Sequence, residues 1–236
     1  TCALPICPMR SDSPFDGLTI EAMIAYAARM RPPATDLPAD PVKLRGVPPE
    51  QRDIVSLSAD ELRERGYVRQ PEAIRRAEAL VELEVASITL IGPQGSGKST
   101  LAAWLGSQAA RRRHREGRDS LLFWSSWADL SAESRQGRPG QTSEGELYAR
   151  SAPVVVLDDL GQERQHEDTR ELVTRVVMHR FARRFRGLVT IITTGLSSQQ
   201  ISARYGGGVL RRVGDPKSVE LIDCRTPLRA VAGGGT

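Results

Sequence analysis

Lys98 and Ser99 end the run Gly92-Pro93-Gln94-Gly95-Ser96-Gly97-Lys98-Ser99, which fits the phosphate-binding pattern G-x-x-x-x-G-K-[ST]. The glycines let the backbone wrap around phosphate oxygens, and a helix N-terminus offers unpaired N–H groups and a positive dipole end. The flanks supply that context. Residues 86–91 read as a short buried strand, and residues 98–110 place Leu101, Trp104, Leu105 and Ala109 on one helical face. Gly92, Pro93, Gln94, Gly95, Ser96, Gly97, Lys98, Ser99 and Thr100 are therefore the candidate phosphate cradle. Lys98 is expected to reach the β- and γ-phosphates of ATP, and the Ser99 hydroxyl to ligate Mg²⁺. The competing reading is a glycine-rich turn before an ordinary helix.

A second chemical element is Val154-Val155-Val156-Leu157-Asp158-Asp159, a buried strand ending in two acids. In a parallel α/β sheet ligands sit beyond the carboxyl ends of strands. Asp158 is the candidate metal ligand beside Ser99, and Asp159 the candidate group that polarises an attacking water. Alone, such a run is also an ordinary strand entering an Asp turn. A third polar station is expected at the end of the strand near 188–194. There Thr194 either orients water and senses the γ-phosphate or simply finishes the strand with a β-former.

The elements that must position these groups follow from periodicity. Strands are expected near 86–91, 120–125, 153–158, 188–193 and 218–222. Helices are expected near 98–113, 144–150, 168–185 and 197–204. The helix over 168–185 puts Leu172, Val173, Val176, Val177, Phe181 and Phe185 at helical spacing, as core. Ser58-Ala59-Asp60-Glu61 reads as a capping box, and Pro71 opens a helix with Ile74, Ala77, Leu80 and Val81 on its apolar side. Five strands alternating with helices predict an α/β fold with a parallel sheet covered on both faces. Upstream, Leu18, Ile20, Met23, Ile24 and Tyr26 suggest a short helical extension ending near Arg31. Thr1 to Ile6 reads as the translation of a sequencing adapter. The expected division is therefore 1–6 adapter, 7–50 N-terminal arm and Pro-rich linker, 51–229 ATPase domain and 230–236 flexible tail.

The 236 residues are 39% hydrophobic and 26% charged, with no apolar run long enough for a membrane span. With the adapter residues set aside, Cys7 and Cys224 remain, far apart and without metal-ligand spacing, which argues against a zinc site or disulfide framework and fits a reducing cytoplasm. The net charge of +4 is concentrated in two clusters, Arg111, Arg112, Arg113, His114, Arg115 and Arg118, and Arg180, Arg183, Arg184 and Arg186. Each fits either a nucleic-acid backbone contact or a solvated helix end. Trp124 and Trp127 are either base-stacking residues or core, with core the stronger reading.

With these residues in hand, the chain resembles the bacterial helicase-loader ATPases of the AAA+ superfamily (DnaC/DnaI-like), with IstB-like transposition ATPases as close cousins. Gly46-Val47-Pro48-Pro49-Glu50-Gln51-Arg52 looks like the loaders' opening segment, and Asp158-Asp159-Leu160-Gly161-Gln162-Glu163 like their extended Walker B. Residues 191–196 resemble their sensor-1 strand, whose Asn falls on Gly195. Tyr205 to Val213 resembles the segment that carries an arginine finger. That places Arg212 at the finger position, with Arg211 adjacent to it, serving ATP on a neighbouring subunit. Arg225 or Arg229 falls near a sensor-2 Arg.

The resemblance implies a P-loop ATPase using ATP and Mg²⁺, with ATP at the interfaces of a homo-oligomer. It further implies a loader that grips a replicative DNA helicase and binds single-stranded DNA. An IstB-like transposition helper engaging a transposase and duplex DNA is the nearest alternative, followed by a nucleotide switch with negligible turnover. A small-molecule kinase would need an arginine-rich lid helix after the sensor strand, which the sequence lacks.

Overall fold

The computed structural model describes residues 42–68, 71–83, 85–136, 141–216 and 218–225. The expected adapter, upstream helix and tail lie outside them. Among the described residues six strands form one parallel sheet. They are β1 (Leu44–Arg45), β2 (Ser87–Ile91), β3 (Leu122–Ser126), β4 (Val154–Leu160), β5 (Val189–Thr194) and β6 (Glu220–Asp223), in spatial order β1-β3-β4-β5-β2-β6. The sequence predicted the last five. The sixth, β1, was hidden in a Pro-rich stretch read as linker, because two residues carry no measurable alternation. A glycine makes it possible: at Gly46 φ is +75°, and a Cβ would lie 2.1 Å from the Trp124 carbonyl oxygen.

The described helices are α1 (Pro49–Arg52), α2 (Ala59–Glu64), α3 (Pro71–Glu82), α4 (Lys98–Arg115), α5 (Trp127–Gln136), α6 (Glu144–Ser151), α7 (Glu167–Ala182), α8 (Ser198–Tyr205) and α9 (Gly207–Val213). The capping box at α2 is present: Glu61 N–H donates to Ser58 Oγ, and Ser58 N–H donates to Glu61 Oε2 at 2.7 Å. Sequence periodicity missed α1, α5 and α9. For α5 a signal existed, since Ser126 Oγ accepts from Asp129 N–H at 3.0 Å, a Ser-x-x-Asp start. In α9 the run Gly206-Gly207-Gly208 masks a helix whose Val209 and Val213 are buried.

Side chains of β4 alternate between two cores, as the pleat requires. Val154 and Val156 join a cluster with Leu90, Leu101, Trp104, Leu105 and Trp124, under α3 and α4. Val155 and Leu157 join Trp127, Leu130, Leu172, Val173, Val176 and Val177, under α5 and α7. Trp124 and Trp127 are thus core and unavailable for base stacking. The expected helix over 168–185 is cut at Ala182, and a separate 3-10 turn, Arg184–Arg186, follows and ends on Gly187 at φ +76°. The break destroys the helical spacing beyond Phe181. Phe185 is therefore 84% exposed, not core.

Candidate nucleotide-binding site

The glycine run leaves the carboxyl end of β2 and enters α4 through Gly97, which caps the helix at φ +89°. A side chain could not replace it: a Cβ would lie 2.4 Å from Tyr67 O. Lys98 is 94% buried, and its ammonium donates to Pro93 O at 2.9 Å. A buried ammonium with so few partners is a poor final state for a cation. Ser96 Oγ, also buried, has no hydrogen-bond partner. Two buried polar groups left short of partners, with helix N–H groups beside them, fit a ligand rich in anionic oxygens.

The acids of β4 reach the same end. Ser99 donates to Asp158 Oδ1 at 3.0 Å, and Thr193 donates to the same oxygen at 2.6 Å. Burial raises the Asp158 pKa above the usual carboxylate range. The Thr193 hydrogen bond opposes the shift, Asp159 adds to it, and Ser99 and Lys98 oppose it. A carboxylate held this way, touching the serine that follows the lysine, suits a hard divalent cation. The residues present thus fit ATP and Mg²⁺.

Asp159 behaves differently. The β4–β5 register slips between Leu157 and Leu160, so Asp158 and Asp159 together face one residue of β5. Asp159 has φ +56°, the only non-glycine residue with positive φ among those described, and its N–H donates to Thr193 Oγ1 at 2.8 Å. Holding a non-glycine residue there costs about 1–3 kcal/mol. The bulge turns the Asp159 side chain out, where it is exposed.

Thr194, the residue expected to watch the γ-phosphate, faces away from the site. Its hydroxyl donates to Leu160 O at 2.8 Å and accepts from Leu196 N–H at 3.0 Å. Thr193, on the opposite face of β5, takes the place beside Asp158; strand alternation separates the two threonines, and the β4–β5 pairing decides which one meets the acid. Gly195 lies close to the loop, where a Cβ would meet only Gly92 O at 3.6 Å.

The arginines divide. Arg180 is 99% buried and donates to Thr190 Oγ1 at 2.7 Å and to the carbonyls of Ala149, Ala152 and Val189 at 3.2, 2.9 and 2.7 Å. Burial pulls its pKa down to about 9, with Arg113 adding to the shift. It clamps the chain and cannot contact nucleic acid. In the first cluster Arg112 donates to Val81 O and Glu82 O at 3.1 and 2.6 Å, and Arg113 to Asp119 O at 2.7 Å. Those two also serve the fold. Arg186 and Arg211 are exposed, and Arg184 lies over the Phe181 and Phe185 rings at 3.8 and 4.1 Å.

Arg212 donates to Gly208 O at 2.8 Å and stands over Phe181. With Ser87 and Thr190, at the amino ends of β2 and β5, it lines a small crevice. It is therefore at the opposite end of the sheet from Lys98. Arg225 pairs with Asp223, both side chains being more than half exposed, and Arg229 lies outside the described residues.

Known proteins agree with this architecture. No curated protein sequence matches the chain significantly. The structure of the DnaC helicase loader is similar at 24% identity and TM-score 0.53, covering 66% of this chain and 90% of that one. The structure of DnaI is similar at 23% identity and TM-score 0.55, covering 77% of this chain and 96% of that one. These likenesses bear on the fold alone, a parallel α/β sheet flanked by helices. Residues 74–212, more than half of the chain, match the family described as IstB-like ATP binding protein. From glycine loop to Arg212 the match spans the elements just described, and the chain belongs to the IstB-like ATP-binding family.

Proposed function

We propose that this protein is a Mg²⁺-dependent ATPase that assembles on DNA and helps to place a replicative helicase on single strands. The observation that carries the ATPase reading is the convergence of Ser99 and Thr193 on Asp158 beside the buried Lys98. Lys98 would neutralise phosphate charge. Ser99 and Asp158 would hold Mg²⁺, which supplies further charge neutralisation when bound. Asp159, turned out by the bulge with its carboxylate free of hydrogen bonds among the described residues, would orient the attacking water and take its proton. Thr193 fixes both acids, one through its O–H and the other by accepting its N–H.

Arg212 cannot serve its own loop from the amino end of the sheet. It would act on a neighbour's ATP, which makes activity depend on assembly. Exposed Arg186 and Arg211, with half-buried Arg184 stacked on Phe185, would supply sequence-independent contact with single-stranded DNA. The loader reading rests on similarity to DnaC and DnaI. A transposition helper is the second reading, favoured by the family match.

The experiment is ATP hydrolysis by the full chain alone, with single-stranded DNA, with duplex DNA and with a replicative helicase. Stimulation by single strands and helicase is the expected result. Stimulation by duplex alone would favour the transposition reading. Absence of Lys98-dependent hydrolysis under all conditions would overturn the ATPase reading itself.

A further inference from the structure

Behind the two acids lies a buried carboxylate that the mechanism above does not use. Glu163 follows Asp159 by one tight turn, closed by Gln162 N–H donating to Asp159 O at 3.1 Å. Its side chain is wholly buried and ion-paired with Arg204 at 2.9 Å. One oxygen accepts from Gly161 N–H at 2.9 Å, and the other accepts the Tyr205 hydroxyl. Arg204 also donates to Gly161 O at 2.7 Å and to Glu163 O. A buried carboxylate whose oxygens are shared among a backbone amide, a phenol and a guanidinium is costly to assemble and costly to break. Its partners come from two pieces of chain. Gly161 belongs to the loop that holds Asp159 in its left-handed conformation. Arg204 and Tyr205 are the last two residues of α8. Immediately after them Gly206, at φ +86°, turns the chain into α9, which carries Arg211 and Arg212. Burial and the Glu163 hydrogen bond both push the Tyr205 hydroxyl well above its ordinary pKa, so it stays a donor.

We propose that Glu163 is a positioning residue that ties the Asp159 loop to the α8–α9 unit, so that occupancy of this subunit's nucleotide site sets the orientation of the Arg212 it offers to its neighbour. This rests on the roles given above to Asp159 and Arg212. A shift of the loop as Asp158 and Asp159 engage Mg²⁺ and water is carried through Glu163 to the end of α8. The glycine at 206 is where α9 can swing in response. Both ends of the link are then set together. The subunit that has bound ATP is also the one whose arginine is correctly aimed, which passes the state of one site to the next. A brace that merely stabilised the fold would hold α8 equally in both nucleotide states.

Amide hydrogen exchange on the full chain, with and without a non-hydrolysable ATP analogue and Mg²⁺, tests the link without requiring turnover. In the parent the analogue is expected to slow exchange at residues 92–100 and also across 198–213. In Glu163→Gln, which keeps the shape and removes the charge, residues 92–100 should still respond while 198–213 should not. Tyr205→Phe, which removes one hydroxyl, should weaken the distal response and covers the case in which the first variant fails to fold. Nucleotide affinity should stay within about twofold of the parent in both, while kcat falls by about tenfold or more. An unresponsive 198–213 segment in the parent, or the same response in parent and folded variants, overturns the proposal. No slowing at residues 92–100 in the parent would instead remove the nucleotide site on which it rests.

Discussion

Two buried cations sit at opposite ends of the same sheet, and they are satisfied very differently. Arg180, at the amino ends of the strands, donates to Thr190 Oγ1 and a set of backbone carbonyls. Lys98, at the carboxyl end, donates to Pro93 O. The first is complete without a ligand and therefore structural. The second is held in a low-dielectric site with capacity to spare, which favours an anion. A basic residue's partners, rather than its place in a charged run, separate clamp from binding site. Ser96 and Asp159 repeat the lesson, one a buried hydroxyl without a partner and the other a strained acid pointed outward.

If that contrast is right, truncating each cation should damage a different property. Arg180→Ala would leave several buried carbonyls without donors and should lower stability by about 4 kcal/mol. Denaturant unfolding measures it, and a change under about 1 kcal/mol would show that the clamp is dispensable. Lys98→Ala should weaken ATP–Mg²⁺ binding by about 3 kcal/mol, roughly a hundredfold, with little loss of stability. A fluorescent ATP analogue reports it, and unchanged affinity would mean that the lysine's spare capacity serves no phosphate.

The contrast extends to the surface arginines with smaller effects. Replacing Arg184, Arg186 and Arg211 by Ala should reduce the salt slope of single-strand binding by about 2, at ~0.7 per phosphate contact. Arg112→Ala and Arg113→Ala should instead show in thermal unfolding, with the salt slope preserved. The reverse pattern would exchange the roles of the two groups. The mildest change is at Gly195. The backbone there leaves room for a Cβ, so Gly195→Asn should fold normally and, by adding a side-chain hydrogen bond near the phosphate loop, raise hydrolysis by about fivefold. A slower variant would show that the position does not face the reacting groups.

The glycine loop, the acid-tipped β4 and most helices were legible because their signals are local: fixed spacing, caps and periodicity. What was not legible depends on partners distant in sequence. Arg180 reads as one member of a charged run, and only the approach of α6 and β5 makes it internal. Phe185 fits the helical spacing until the helix stops three residues earlier, where no proline or glycine marks the break. Thr193 and Thr194 are equivalent as letters, and the β4–β5 pairing decides which meets Asp158. The bulge that separates the two acids exists only in the register between strands. Glu163 stood in a recognisable motif, yet its partners Arg204 and Tyr205 lie some 40 residues away in sequence.

The division of labour between the two acids is the centre of this account, and Asp159→Asn tests it most directly. Asn keeps the size of the side chain and tolerates the left-handed backbone, but cannot accept a proton from water. With saturating ATP–Mg²⁺ in a single turnover, and with single-stranded DNA present, the variant should bind nucleotide within about twofold of the parent and hydrolyse it at least about a hundredfold more slowly. Hydrolysis at the parent rate would contradict the account, because the exposed, strained acid would then have no part in the chemistry.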